Sequence, residues 1–249
     1  MEEYDLKLHD DFNYDKWLDD NKDFTQIIAG KRRSGKSVLT KWMIKYYFLE
    51  RFGAENIILF KGSYYDDEFY NCYLPDENIM RFELETFFKL VEYQKILHEK
   101  KTPLKILYIF DDCNIAEVIN DKLVKKKFIE IFVNGRHFGA SLNFISQYSS
   151  SLPPIWLANT DLIFALNVLS ENFVENIRRN FASYYPKTKF VRRLKQVYDE
   201  KKHQMLLFDN ETRKIYKFLL DVEIVKYKKK VETDKYSMKG TYRRIREKF

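Results

Sequence analysis

The chain has 249 residues, 45% of them hydrophobic and 17% aromatic, with a net charge of +7; this suits one large globular domain or two small ones and is too apolar for a disordered chain. Only Cys72, Cys113 and four scattered histidines are present, which excludes a disulfide framework or a cysteine–histidine zinc site and points to a reducing compartment. No apolar run reaches the length of a membrane span, and the acidic start MEEYDLKLHDDF lacks the apolar stretch of a signal peptide, so no membrane partner is expected.

Residues 1–23 carry nine acids against three bases and read as an acidic leader. Residues 24–29 (FTQIIA) follow as a short buried strand, and 37–51 has helical spacing that ends at Gly53. Between them stands GKRRSGKS, the pattern G-x-x-x-x-G-K-S placed after a strand and before a helix, as phosphate binding requires. Gly30 and Gly35 let the backbone approach where a Cβ would block it. The N–H groups of the loop through Ser34 and Gly35 to Val38, with the helix N-terminus, form a nest for the phosphates. Lys36 reaches the β- and γ-phosphates of ATP, and the Ser37 hydroxyl ligates Mg²⁺. Lys31-Arg32-Arg33 adds positive field to a triphosphate or faces a neighbouring subunit, and no specific role is assigned to it.

A second strand is predicted at 56–61, loop or short turns at 62–82, and an amphipathic helix at 83–100, ended by Pro103. Residues 105–110 (KILYIF) form an almost continuous apolar run, the mark of a strand buried on both faces. It leads into Asp111-Asp112 at the carboxyl end, where open parallel sheets bind ligands. Asp111 is assigned to Mg²⁺, directly or through water, and Asp112 to polarising the attacking water; the bland alternative is a turn that caps the next helix. That helix is expected at 121–133, with Lys125-Lys126-Lys127 on its solvent side.

NGRHFGAS then places Arg136 and His137 in a loop before a strand at 141–146. Arg136 is either a surface residue or a finger that reaches a nucleotide held by a neighbouring subunit. The strand ends in Gln147, which is expected beside the two acids, to contact the γ-phosphate or orient water. A strand at 161–166, helices at 171–182 and 188–202, and a strand pair at 204–208 and 214–220 complete the pattern. Residues 228–249 carry nine bases against three acids, and a basic body with a basic tail suits a polyanion, nucleic acid before membrane. The expected fold is α/β, a P-loop NTPase with a largely parallel central sheet flanked by helices. The domain reading is a leader at 1–23, an ATPase domain at 24–227 and a tail at 228–249.

GKRRSGKS, YIFDDC, GRHFGASLNFISQ and SLPPIWLANTDLIFAL, taken in order over residues 24–170, resemble the viral DNA-packaging ATPases of the FtsK–HerA superfamily. The likeness is to the poxvirus-type packaging ATPase of large DNA viruses and virophages. The resemblance implies a RecA/ASCE-like core, a homo-oligomeric ring, Mg-ATP hydrolysis and translocation of double-stranded DNA into a capsid, with capsid or portal-vertex proteins as further partners. It implies a place in the host-cell cytoplasm (the viral factory), the nucleus or the virion. By that likeness Lys36 and Ser37 take the phosphates and metal, Asp111 and Asp112 are the Walker B pair, Gln147 is the polar sensor and Arg136 is the finger. Many superfamily members carry Glu where Asp112 stands, which bears on its assignment as base. Two other readings share the phosphate loop: a nucleotide or small-molecule kinase, whose arginine lid Arg178-Arg179 and Arg192-Arg193 would imitate, and a non-catalytic ATP-binding scaffold. A GTPase is disfavoured because no N-K-x-D motif follows the loop.

Overall fold

A computed structural model describes residues 6–62, 68–113, 115, 121–147, 154–167, 170–200 and 204–219. The tail at 228–249, the triple serine at 149–151 and the ends of some predicted elements lie outside the described residues. The chain groups into two compact units, one holding the described residues among 6–36 and 146–219, the other those among 37–145.

In the unit formed by 37–145, three parallel pairings give the order β3-β2-β4-β5, from β2 (Ile57–Lys61), β3 (Ile79–Arg81), β4 (Ile106–Asp111) and β5 (Ala140–Ser146, whose last residue belongs to the other unit). Strands β2 and β4 are rich in β-branched and aromatic residues and lack a polar alternation, because both faces are covered. On one face Phe60, Tyr108, Phe110 and Phe144 form an aromatic layer; Phe110 and Phe144 stack at 4.6 Å. Phe87 of α5 (Leu84–Glu99) meets Tyr108 and Phe110 edge-on, and Phe128 and Phe132 of α6 (Lys122–Asn134) lie against Phe144. Edge-to-face contacts of this kind suit the ring quadrupole.

Asp121 caps α6, accepting from the Leu123 and Val124 N–H groups. Gln94 on α5 donates to the Leu104 carbonyl and accepts from the Tyr108 hydroxyl, which fixes the entry to β4. The helix after the phosphate loop is α2 (Lys36–Met43), followed by one π-turn (Ile44–Phe48) and α3 (Leu49–Phe52). In the π-turn the Leu49 N–H bonds the Ile44 carbonyl. The edge strand β3 and the four-residue helix α4 (Glu68–Asn71) stand in the stretch read from sequence as loop or short turns.

The other unit pairs β1 (Thr25–Gly30) parallel to β6 (Leu162–Leu166), then β6 antiparallel to β7 (Gln204–Asp209) and β7 antiparallel to β8 (Lys214–Leu219). The acidic start is not featureless: Asn13 caps α1 (Tyr14–Asp20), which buries Tyr14, Trp17 and Leu18. Tyr14 meets Phe164 edge-on and donates to Gln26, so α1 covers one face of this sheet. The remaining helices here are α7 (Pro154–Ala158), α8 (Glu171–Phe181) and α9 (Lys187–Glu200). Phe181 of α8 packs on Phe208, which points to the opposite face from Phe164. His9 pairs with β8 through its own N–H and carbonyl, extending this sheet's edge.

Asn143 on β5 is wholly buried, and neither its amide nitrogen nor its oxygen has a hydrogen-bond partner among the described residues. An unmatched buried amide costs about 1–3 kcal/mol. Asn143→Val, which suits a strand and removes the polar atoms, should therefore raise the thermal midpoint by roughly 2–4 °C for each kcal/mol recovered. A midpoint that falls in calorimetry would show that the amide is satisfied after all.

Candidate nucleotide and metal site

The loop from Gly30 to Lys36 has the geometry of an anion cradle. A Cβ at Gly30 would collide with the Ser34 hydroxyl oxygen and lie 2.9 Å from the Leu166 carbonyl oxygen, so the loop closes over β1 only with glycine there. Arg33 (φ 63°) and Gly35 (φ 100°) are left-handed, alternating with the residues between them. That alternation curls successive N–H groups to one side, as in anion nests; one of them, on Ser34, is taken up by the Lys31 carbonyl at 3.2 Å. Lys36 is 5% exposed, and its ammonium turns back over the loop to the Lys31 carbonyl at 3.2 Å. The side chains of Lys31, Arg32 and Arg33 are exposed. Ser34 has a buried hydroxyl oxygen with no partner among the described residues, and Val38 is half-buried in the first turn of α2.

Ser37, the next residue after Lys36, belongs to a second cluster with the acids of β4. Asp111 is the last residue of β4 and Asp112 the first beyond it. The two are held differently. Asp111 is half-buried and accepts a 2.8 Å hydrogen bond from the Tyr70 hydroxyl, which also lies beside the Ser37 side chain. Burial first, then the Asp111 carboxylate, hold the Tyr70 phenol well above its ordinary range, so it stays protonated and donates. Ser37 and Asp111, assigned to the metal from sequence, are thus brought together through Tyr70. Asp112 is exposed and left-handed (φ 50°), with its N–H on the Ile145 carbonyl at 3.2 Å. Its own carbonyl rests where a Cβ of Gly62 would be, and the Gly62 N–H bonds the Asp111 carbonyl at 3.0 Å. Gly62 is therefore required by the backbone of the acidic pair.

The next residue, Cys113, has its thiol pushed up by burial and then by the two carboxylates, and it hydrogen-bonds the Phe60 carbonyl. That thiol is a packing group rather than a nucleophile. An exposed carboxylate beside a half-buried, hydrogen-bonded one is a division of labour that fits one acid for water and one for a metal. A serine hydroxyl and carboxylates form a hard oxygen donor set, which fits Mg²⁺; the glycine cradle with its lysine fits phosphate.

Gln147 follows the end of β5 in a bend and is half-buried. Arg136 is exposed in the 3₁₀ turn Gly135–Phe138, before β5 begins. Because β4 and β5 are parallel, with Asp111 opposite Ile145, Arg136 stands at the far end of the strand from the acids, roughly 20 Å away by strand rise. It does not serve the acids of its own chain. Arg178 is spent on the fold: it pairs with Glu175 and donates to the Ser183 and Tyr185 carbonyls, bracing the turn between α8 and α9. Arg179 also binds Glu175, whose carboxyl the two guanidiniums hold down at about 2.

Sequence reasoning missed Tyr70 and Gly62. Tyr70 has no local signal, being one of 18 tyrosines in the chain. Gly62 had one, as a glycine directly after an apolar strand.

No protein-family model matches the chain, and no curated protein matches it. Solved structures do. The genome packaging NTPase B204 from Sulfolobus turreted icosahedral virus 2, in complex with AMPPCP, is similar with a TM-score of 0.55 and 21% identity, over 80% of this chain and 100% of that one. The DNA-packaging ATPase B204 from Sulfolobus Turreted Icosahedral Virus gives 0.54 and 23%, over 79% and 98%. EssC (ATPases 2 and 3) from Geobacillus thermodenitrificans gives 0.51 and 13%, over 75% of this chain and 38% of that one. The chain shares the α/β fold of these ATPases, the fold expected from its motifs.

Proposed function

We propose that this chain, with the fold of viral genome-packaging NTPases, is an Mg-ATP-hydrolysing motor that moves double-stranded DNA into a capsid. The observation that carries the reading is the Ser37–Tyr70–Asp111 cluster, which joins the residue after the loop lysine to the acids of β4. The fold shared with nucleotide-bound packaging NTPases supports it.

The chemistry follows from the side chains. Lys36 and the loop N–H groups hold the β- and γ-phosphates, and Ser37 with Asp111 holds the metal. Bound Mg²⁺ supplies charge neutralisation on the phosphate oxygens. Asp112, exposed at the strand end, takes the proton of the attacking water as its oxygen bonds the γ-phosphorus and the bond to the β-phosphate oxygen breaks. Gln147 orients that water.

Arg136 acts on the nucleotide bound by a neighbouring copy, which requires a ring or another oligomer. The basic tail at 228–249 is proposed as one DNA contact, with capsid or portal-vertex proteins as further partners. Placement in a viral factory, nucleus or virion belongs to the same reading. Among the described residues no helix is long and apolar enough to cross a membrane. The kinase reading gains no support, because Arg178 and Arg179 are tied to Glu175 rather than held in a lid.

The decisive measurement is ATP turnover of the size-fractionated oligomer with and without double-stranded DNA. DNA should raise the rate, and the stimulation should fall steeply with salt, because phosphate contacts release counterions. A rate indifferent to DNA would overturn the motor; phosphate transfer to a small acceptor would point to a kinase, and no turnover at all to a scaffold.

A further inference from the structure

We propose that Tyr70 is a positioning residue for the magnesium of this site, acting through Asp111; the proposal rests on the nucleotide reading above. Tyr70 sits on α4 and is 2% exposed. Its hydroxyl lies beside both groups assigned to the metal, donating to Asp111 Oδ2 at 2.8 Å with the Ser37 side chain next to it.

The ring is held in place from outside the cluster. Phe69 meets it edge-on at 5.0 Å, and Phe69 in turn lies under the Lys41 ammonium at 4.3 Å. Lys41 is on α2, one helical turn beyond Ser37. The short helix α4 is therefore tied both to the helix that carries Ser37 and to the strand that carries Asp111.

A carboxylate with a fixed donor on one oxygen cannot rotate freely, and its other oxygen keeps a constant direction. A mobile water in place of the phenol would not hold it so. Partners of this outer kind typically contribute about 10–100-fold to metal affinity.

The test is Tyr70→Phe in the full chain, with binding of a fluorescent ATP analogue titrated against Mg²⁺ and repeated in EDTA. The variant should need about 10–100-fold more Mg²⁺ for half-maximal metal-dependent binding, while binding in EDTA stays at the wild-type level. With Asp111→Asn already in place, the same substitution should add nothing. A Mg²⁺ requirement equal to or below that of the wild type would overturn the proposal, the latter showing that the phenol competes with the metal. Loss of binding in EDTA as well would also overturn it, since the residue would then be supporting the fold. If the wild type binds the analogue no better than Lys36→Ala, the nucleotide reading itself has failed. If the wild type binds it and responds to Mg²⁺ but Tyr70→Phe behaves identically, only the role of Tyr70 is lost.

Discussion

Lys36→Ala should remove ATP turnover, lowering it by at least about 10²–10³-fold, the scale for deleting one preorganised electrostatic contact to transition-state charge. The side chain is 5% exposed and its ammonium is parked on a carbonyl of its own loop at 3.2 Å. The charge is thus held at the cradle with little left to reorganise when phosphate arrives. Alanine is the best helix former, so α2 keeps its first residue and the loss is one of charge rather than structure. Binding of a fluorescent ATP analogue and steady-state hydrolysis check it together, and wild-type hydrolysis in the variant would remove the loop from the chemistry.

Asp112→Asn should leave ATP binding intact and slow hydrolysis by about 10²–10⁴-fold, the range for a positioned general base. The substitution is unusually clean at this position. Asp112 is left-handed, with its N–H and carbonyl both packed against neighbouring backbone. Asparagine tolerates that conformation as readily as aspartate, so the turn survives. What is lost is the ability to accept a proton. Single-turnover hydrolysis alongside equilibrium binding separates the two effects; a variant that hydrolyses ATP at the normal rate would move the base elsewhere, with Asp111 the next acid along the chain.

The strands β2, β4 and β6 were legible because their apolar runs are almost unbroken, which a strand covered on both faces requires, while Gln26 in β1 and Asn143 in β5 interrupt theirs without hiding them. The loop and the acids were legible because they punctuate such runs. Strand β3 was not, since three residues at a sheet edge carry no period. Helix α1 was readable in principle: Tyr14, Trp17 and Leu18 have helical spacing behind an asparagine cap, but the acidic composition around them obscured it.

The position of Arg136 needed only topology. A residue just before one parallel strand lies at the opposite end from residues just after its neighbour. Tyr70 needed the fold itself, because its bond to Asp111 spans 41 residues and the stretch around it reads as polar loop. Arg178 looked like free charge in the sequence and is a brace in the structure, because carbonyls at a helix turn are invisible in a string of letters.

The π-turn behind α2 gives this chain a spare residue inside a helix. Between Ile44 and Leu49 the ladder reaches back five residues instead of four. Shortening that turn by one, at the exposed Tyr46 for instance, would restore the ordinary reach and let Lys36–Met43 and Leu49–Phe52 join as a continuous α-helix. Changes in chain length are normally absorbed in surface loops. Here one can be absorbed within about three helical turns of the phosphate cradle, without sliding either flank along the chain. Aligned sequences of this fold should accordingly be read with a one-residue gap permitted at that turn.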